Sequence, residues 1–166
     1  MSFLSVAEQI EQWPLAAAIA ESRYAFPVIE GIHLIGLSVS VGLIFLTDLR
    51  LMGLLFRQVP VNDVLRHLRP YVLIGFALVF LSGGLLGMAE ASALIQSPAF
   101  PFKMLFMLLA GINALYFELR IAKRAPVVEN HPVLPWSVKY AGAASLGLWT
   151  LVIVFGRLIP YLPTWT

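Results

Sequence analysis

The sequence predicts an all-α integral membrane protein, in which four transmembrane helices form a bundle preceded by an N-terminal amphipathic helix at the membrane interface. Of the 166 residues, 60% are hydrophobic and only 12% are charged, and the mean hydropathy is +0.86. Soluble domains are roughly half apolar and about a quarter charged, so part of this chain must face lipid. Four long apolar segments and an uneven distribution of basic residues specify the architecture further.

Each of the four apolar segments is long enough to cross a hydrocarbon core of roughly 30 Å, which takes about 20 helical residues. The first opens at Pro27 and the second follows Pro70, and proline is common at the first position of a helix. The third begins near Phe102, and the fourth stops at Pro160. The predicted spans are 27–48, 71–95, 102–122 and 138–159, within a transmembrane domain of residues 27–166.

Residues 1–26 are predicted to form an amphipathic segment on the outer membrane surface. Phe3, Val6, Ile10 and Trp13 recur at helical spacing, which gives the segment one apolar face. Tryptophan is enriched at the level of the lipid headgroups, so Trp13 is expected to lie there.

The basic residues predict the orientation of the bundle. Eight of the eleven Lys and Arg residues lie in or beside the connectors that follow the first and third spans, and the other three are Arg23, Lys103 and Arg157. Cytoplasmic connectors carry an excess of Lys and Arg. We therefore expect both basic connectors in the cytoplasm and both termini on the outer side of the membrane.

Small residues are frequent within the predicted spans, and such residues let helix backbones approach closely in lipid. Two interpretations remain open at this stage. The small residues pack the four helices against each other, or one stripe of them faces a second copy of the chain or another subunit. Examples are Gly31, Gly36, Ser40, Gly83, Gly84, Gly142 and Gly147.

Each predicted span brings at least one ionisable residue to its outer half. Such a residue costs roughly 2.5–3.5 kcal/mol in hydrocarbon, so it normally faces the bundle interior and finds a partner. We expect a polar cluster of Glu30, Glu90, Lys103 and Arg157 around His33, with Glu30 paired to Arg157 or Lys103. The alternatives are that the residues at helix ends extend to the headgroups and that His33 is a packing residue.

Other polar residues are predicted to connect helices. Asn113 lies near the middle of the third span, where an unsatisfied amide is costly, so it should hydrogen-bond to another helix. Asp48 and Arg50 end the first span, and Glu118 and Arg120 end the third. An ion pair of Asp48 with Arg120, or of Glu118 with Arg50, would join these spans at the cytoplasmic interface.

His33 is the best candidate for a cofactor ligand. His67 and His131 fall in the two cytoplasmic connectors, so a bis-histidine haem within one protomer is not expected. A second ligand would come from His33 of another copy or from a thioether, and haem b and copper both accept histidine with methionine. The methionines at the same predicted depth are Met88, Met104 and Met107, although methionine also serves as a gap filler.

Parts of the sequence resemble small bacterial membrane protein families. HLIGLSVSVGLIFLTDLRLMG resembles the opening span of the copper-resistance D family and of the bacterial membrane protoporphyrinogen oxidase family. KMLFMLLAGINALYFELR is similar to their Lys-led span, where the pattern often ends in a histidine and this chain has Glu118. The whole chain also resembles an uncharacterised bacterial family of similar length, marked by ESRYAFPVIEGIHLIG and SLGLWTLVIVFGRLIPY. The resemblance implies a four-helix membrane protein that binds haem or copper through His33.

Several function classes are excluded or disfavoured. Cysteine is absent, which excludes disulfides and thiolate metal sites within this sequence, and the formal charge of +2 is too scattered for a nucleic-acid surface. No phosphate loop or set of catalytic residues is evident, so an enzymatic activity is left undecided. Three hypotheses remain: a redox or metal-handling protein that uses His33, a non-catalytic subunit of a larger membrane complex or homo-oligomer, and a small transporter.

Overall fold

The computed structural model describes residues 3–121 and 134–163, and all regular structure in those residues is helical. Four of the helices are long and apolar enough to cross a membrane, as the sequence predicts. A π-helical turn, Phe117–Ile121, continues the sixth helix. The α-helices are α1 (Phe3–Glu11), α2 (Pro14–Glu21), α3 (Ala25–Leu51), α4 (Val61–Ala89), α5 (Ala91–Gln96), α6 (Ala99–Tyr116) and α7 (Trp136–Leu158).

The four long helices run antiparallel to their neighbours in sequence. Leu51 at the end of α3, Val61 at the start of α4 and Val138 at the start of α7 share one buried cluster. We call this the basic end, because most of the Lys and Arg residues flank it, and we call the opposite end the His33 end. Helix α3 packs against α4 and α7, and α6 packs against α7, whereas α4 and α6 do not pack closely.

Helices α3 and α4 approach each other most closely where both lack a bulky side chain. A Cβ atom on Gly75 would lie 2.9 Å from Ser40 Cβ, and one on Gly36 would lie 3.2 Å from the carbonyl oxygen of Gly75. The Ser40 hydroxyl is buried here and donates a hydrogen bond of 2.8 Å to the carbonyl of Gly36. At these positions the small residues therefore serve packing inside the bundle.

The middle of the bundle is held by aromatic packing and one interhelical hydrogen bond. Trp149 and Ala110 belong to a buried cluster, and the ring centroids of Trp149 and Phe76 are 5.0 Å apart. The side-chain amide of Asn113 on α6 donates to the carbonyl of Ala141 on α7 at 3.0 Å. The prediction that Asn113 bonds to another helix is confirmed.

The second long helix begins ten residues earlier than predicted. Pro70 lies inside α4, which starts at Val61. A proline inside a helix removes one backbone hydrogen bond, so Pro70 was expected to mark the start. The first turns of α4 form nevertheless, because Val61 and Val64 are buried and Leu65 packs against the cluster at the basic end.

This helix also ends earlier than predicted, at Ala89 rather than near residue 95. Glu90 leaves the helical conformation with φ −130° and ψ 37°, and a separate short helix, α5, follows. The Glu11 carboxylate of α1 accepts hydrogen bonds from the backbone N–H and the hydroxyl of Ser92, at 2.7 and 2.9 Å. It therefore binds an N–H at the start of α5 that has no partner within that helix.

The N-terminal segment is attached to the bundle rather than only lying beside it. Helix α1 packs against α5 and α4, and α2 packs against α4 and α3. Ala7 and Ala16 are fully buried in these contacts. The outward sides of the same helices carry exposed apolar residues, including Phe3 and Trp13.

The close approach of α3 and α4 predicts different effects for two alanine substitutions in one helix. Gly75→Ala places a methyl group within 3.0 Å of Ser40, so it should destabilise the protein by about 1–3 kcal/mol. Gly84→Ala meets open space and should be neutral or stabilising, since alanine favours helix more than glycine. Thermal unfolding of both variants in detergent measures the difference. Equal stability of the two variants would contradict the proposed packing constraint.

Candidate functional site at the His33 end

His33 lies on α3 and faces α4. Its ring is half-buried, and Nδ1 is 3.0 Å from the hydroxyl oxygen of Ser82 on α4. The Ser82 hydroxyl donates its own hydrogen to the carbonyl of Leu78, one turn earlier in α4. His33 is therefore held inside the bundle by a side chain that is itself held in place.

The hydrogen bonds of Ser82 favour one tautomer of His33. A serine hydroxyl has one hydrogen, and Ser82 uses it on Leu78, so its oxygen accepts from Nδ1–H of the imidazole. The lone pair of the neutral ring is then on Nε2. Among the described residues the ring has two hydrogen-bonding partners, the Ser82 hydroxyl and the backbone of Val79, both on α4. In this tautomer Nε2 is the ring nitrogen whose lone pair can act as a ligand.

A glycine gives the imidazole its space on α4. A Cβ atom on Gly83 would lie 3.0 Å from Cε1 of His33 and 3.4 Å from Nδ1. Neighbouring Gly84 meets nothing within 4 Å. Ser82 therefore orients the ring, and Gly83 leaves room for it. A larger residue at position 83 would occupy that room.

Lys103 is the basic residue nearest to this site. Its side chain packs along Gly156 on α7, where an added Cβ would lie 3.5 Å from Lys103 Cε and 3.7 Å from Nζ. Lys103 and Glu30 both lie close enough to His33 to interact with it electrostatically. Lys103 is half-buried, whereas Glu30 is exposed. The site thus combines two partly buried groups, the imidazole of His33 and the ammonium of Lys103.

The predicted ion pairs within the polar cluster are not formed. Among residues 3–121 and 134–163, the only salt bridge joins Arg69 and Glu118 at the other end of the molecule. Arg157 is exposed and donates to the hydroxyl of Tyr161 at 2.7 Å, one turn further along the chain. Glu30 is also exposed, so the prediction that Glu30 pairs with Arg157 or Lys103 is wrong; water or headgroups can solvate both charges where they stand.

Glu90 and the three methionines differ in their surroundings. Glu90 is exposed at the break between α4 and α5. Met107 packs against the buried cluster around Trp149, which gives it a structural role. Met88 is partly buried and Met104 is 43% exposed, so these two thioethers are not committed to that cluster.

At the basic end, the predicted ion pairs have different partners. Both oxygens of Glu118 accept from Arg69 on α4, at 2.9 and 2.7 Å, rather than from Arg50. Arg50 instead donates to the carbonyl of Val59 at 2.8 Å and so ties the end of α3 to the following connector. The expected link between α3 and α6 is wrong, because Glu118 lies next to α4.

Asp48 and Arg120 do not form the alternative pair. Asp48 is 3% exposed, lies within hydrogen-bonding reach of Ser145 on α7, and leaves Oδ2 without a partner among the described residues. Arg120 is exposed on the π-helical turn. Asp48 therefore connects helices, as expected, but through a hydroxyl on α7 rather than through a guanidinium on α6.

Sequence reasoning missed the residues on α4 and α7 that shape the site. Ser82 and Gly83 follow a long apolar run, and nothing in their spacing relates them to His33, which is 49 residues away from Ser82. Gly83 and Gly84 are adjacent, and only the structure separates the glycine that contacts the imidazole from the one that faces open space. The one sequence signal was that a serine and a glycine pair lie at the same predicted depth as His33.

Removal of the Ser82 hydroxyl should release the tautomer of His33. In a background with His67→Gln and His131→Gln, ¹⁵N-histidine NMR reports His33 alone. We expect the Nδ1–H form of the neutral ring to dominate, and Ser82→Ala to give a mixture of both forms. Ser38→Ala is the control, because Ser38 bonds only to the carbonyl of Leu34 on its own helix. A dominant Nε2–H form in the unsubstituted background would contradict the assignment.

Comparison with known proteins gives one match. A family of unknown function, DUF6644, matches residues 17–162, which include α3, α4, α5, α6 and α7 and most of α2. No curated protein and no solved structure matches the chain. Since the matched range covers most of the sequence, the chain belongs to the DUF6644 family.

Proposed function

We propose that this chain is a multi-pass protein of the bacterial inner membrane, with its termini on the periplasmic side. The four long helices support membrane insertion, and large exposed aromatic residues occur at both ends, as in proteins that sit between two membrane interfaces. The residues that flank both basic connectors meet at one end, which the positive-inside bias places in the cytoplasm. The exposed aromatic residues are Tyr71, Trp136 and Tyr140 towards the basic end and Trp13, Tyr24 and Tyr161 towards the His33 end.

This orientation predicts from which side of the membrane an introduced cysteine can be labelled. The sequence contains no cysteine, so each introduced one reacts without background. Gln9→Cys on α1 should react with a membrane-impermeant maleimide in intact spheroplasts. Gln58→Cys, in the connector between α3 and α4, should react only after the membrane is permeabilised. Both positions are exposed, so a difference in reactivity reports the side of the membrane. Labelling of Gln58→Cys in sealed spheroplasts would contradict the proposed orientation.

We further propose that the His33 end binds a redox cofactor through Nε2 of His33. The observation that carries this proposal is the hydrogen bond from Nδ1–H to Ser82. Histidines that ligate metals almost always donate their other ring N–H to a fixed acceptor, which orients the ring and makes the ligating nitrogen more basic. Ser82 is such an acceptor, and Gly83 leaves room for the ring.

The surroundings of His33 favour haem b over copper. Haem iron and copper both accept histidine with methionine, so the candidate ligands are the same for both and the neighbouring charge distinguishes them. If haem is bound, His33 would hold it together with Met88, Met104 or His33 of a second copy. The ammonium of Lys103 suits the negatively charged propionates of haem and disfavours a bare cation. Bound haem supplies one-electron redox chemistry; this chain's residues hold and orient it.

The cofactor proposal predicts that His33 is required for binding and that His67 is not. Protein expressed with haem precursor and copper, and purified in mild detergent, should show a Soret band; His33→Ala should remove at least about nine-tenths of it. His67→Ala is the matched control, since His67 is exposed at the basic end and bonds to the carbonyl of Asp63. Metal analysis of the same samples distinguishes haem iron from copper.

The absence of both a Soret band and stoichiometric metal in the unsubstituted protein would overturn the cofactor proposal. It would favour a second function, a non-catalytic subunit of a larger membrane complex or a homo-oligomer. A specific observation supports that alternative: five helical glycines meet nothing within 4 Å and could admit a neighbouring helix. They are Gly31, Gly42, Gly84, Gly111 and Gly147.

A further inference from the structure

A groove opens at the basic end, between the first turns of α4 and the π-helical turn that follows α6. Its volume is about 490 Å³. It exists because α4 and α6 do not pack closely along their lengths, so the ion pair of Arg69 with Glu118 crosses a gap rather than a packed interface. The groove is lined by Asn62, Leu65, Arg66, Arg69, Pro70, Leu73 and Glu118.

The lining changes from basic to apolar along the direction of α4. Arg66 and Arg69 lie on the first turns of the helix, and the segment from Tyr71 to Ala89 contains no charged residue. Leu73 lies two turns after Arg66, about 10 Å further along the axis, and is 61% exposed. The groove therefore spans the depth at which the headgroup region of a membrane meets the hydrocarbon.

The charges in the groove leave a basic excess. Glu118 is neutralised by Arg69, one nitrogen of which donates hydrogen bonds to both carboxylate oxygens. This contact holds the guanidinium of Arg69 at the groove while its other N–H groups remain available. Arg66 is exposed and forms no ion pair among the described residues. Two guanidinium groups and one carboxylate give the groove a net charge of +1.

We propose that this groove binds an anionic phospholipid of the inner leaflet, with the phosphate at Arg66 and Arg69 and an acyl chain along Pro70 and Leu73. Guanidinium groups bind phosphate oxygens in paired, charge-assisted hydrogen bonds. Basic pockets between helices on the cytoplasmic side recognise lipid headgroups in this way. A free phosphate ion would use the basic half of the groove and leave the apolar half uncovered, which is why a lipid is the better fit.

The proposal rests on the proposed membrane orientation, which places the basic end at the inner leaflet, but not on any cofactor. Inner leaflets are rich in negatively charged lipids, and the attraction is worth about 1 kcal/mol per nearby basic residue. A lipid here would fill the opening that the described residues leave between α4 and α6. Binding should therefore stabilise the bundle as well as anchor it.

The test uses delipidated protein in a neutral detergent, titrated with phosphatidylglycerol or phosphatidylcholine and followed by native mass spectrometry and thermal unfolding. We expect phosphatidylglycerol to bind and to raise the unfolding temperature, and phosphatidylcholine to have little effect. Arg66→Gln should weaken phosphatidylglycerol binding roughly tenfold, the change expected for loss of a charged hydrogen bond. Arg57→Gln is the matched control, because Arg57 is exposed at the same end but does not line the groove.

Three results would overturn the proposal: equal binding of phosphatidylcholine, equal loss of binding in Arg57→Gln and Arg66→Gln, or full stabilisation by inorganic phosphate alone. The last result would identify a simple anion site. Leu73→Ser supplies a second measurement, since it should weaken binding of the lipid but not of inorganic phosphate. The absorbance of the cofactor proposed at the His33 end should be the same in all these variants. Failure of lipid binding and failure of the cofactor proposal are therefore separate outcomes.

Discussion

The contact between α3 and α4 is the constraint on which the rest of this structure depends. Helices in lipid gain little from burying apolar surface, so they associate where van der Waals packing is closest. Gly36, Ser40 and Gly75 remove the side chains that would keep these two backbones apart. His33 lies one turn before Gly36, and Ser82 lies two turns after Gly75. If α4 shifted along α3 by one turn, about 5.4 Å, the imidazole of His33 would no longer reach Ser82.

In a membrane-spanning bundle, as proposed above, the polar side chains of the long helices follow a second constraint, since hydrocarbon offers no water to satisfy them. Ser40, Thr47 and Thr150 each donate to the carbonyl four residues earlier on their own helix. Asn113 reaches across to α7 instead. His33 and Ser82 join α3 to α4 through an imidazole, a group that can also ligate a metal, and this distinguishes them from polar groups that serve packing alone.

The sequence predicts the helices of this protein better than their contacts. Hydropathy over about 20 residues identifies all four long helices, because length and apolarity are summed over many residues. The start at Pro70 was wrong because a local rule about proline was outweighed by tertiary burial of Val61 and Val64. Asn113 was predicted well, since the cost of a buried amide demands a partner whatever its identity.

The partners of Glu118 and His33 could not be predicted for a different reason. Both lie on interfaces with α4, and the sequence does not say which helices are neighbours. Glu118 was expected to reach α3, but the π-helical turn after α6 places it against Arg69 on α4. Similarly, whether Gly83 faces His33 depends on the rotation of α4 about its axis. The next residue, Gly84, already faces open space.

The two ends of the bundle have different chemistry, and Glu118 explains the division. This position holds a carboxylate that joins the π-helical turn after α6 to Arg69 on α4 across an open gap. A carboxylate bound at both oxygens by a guanidinium is not a ligand for haem iron. The described contacts at the basic end are therefore charged, whereas at the opposite end the proposed ligand, His33, is positioned by its hydrogen bond with Ser82.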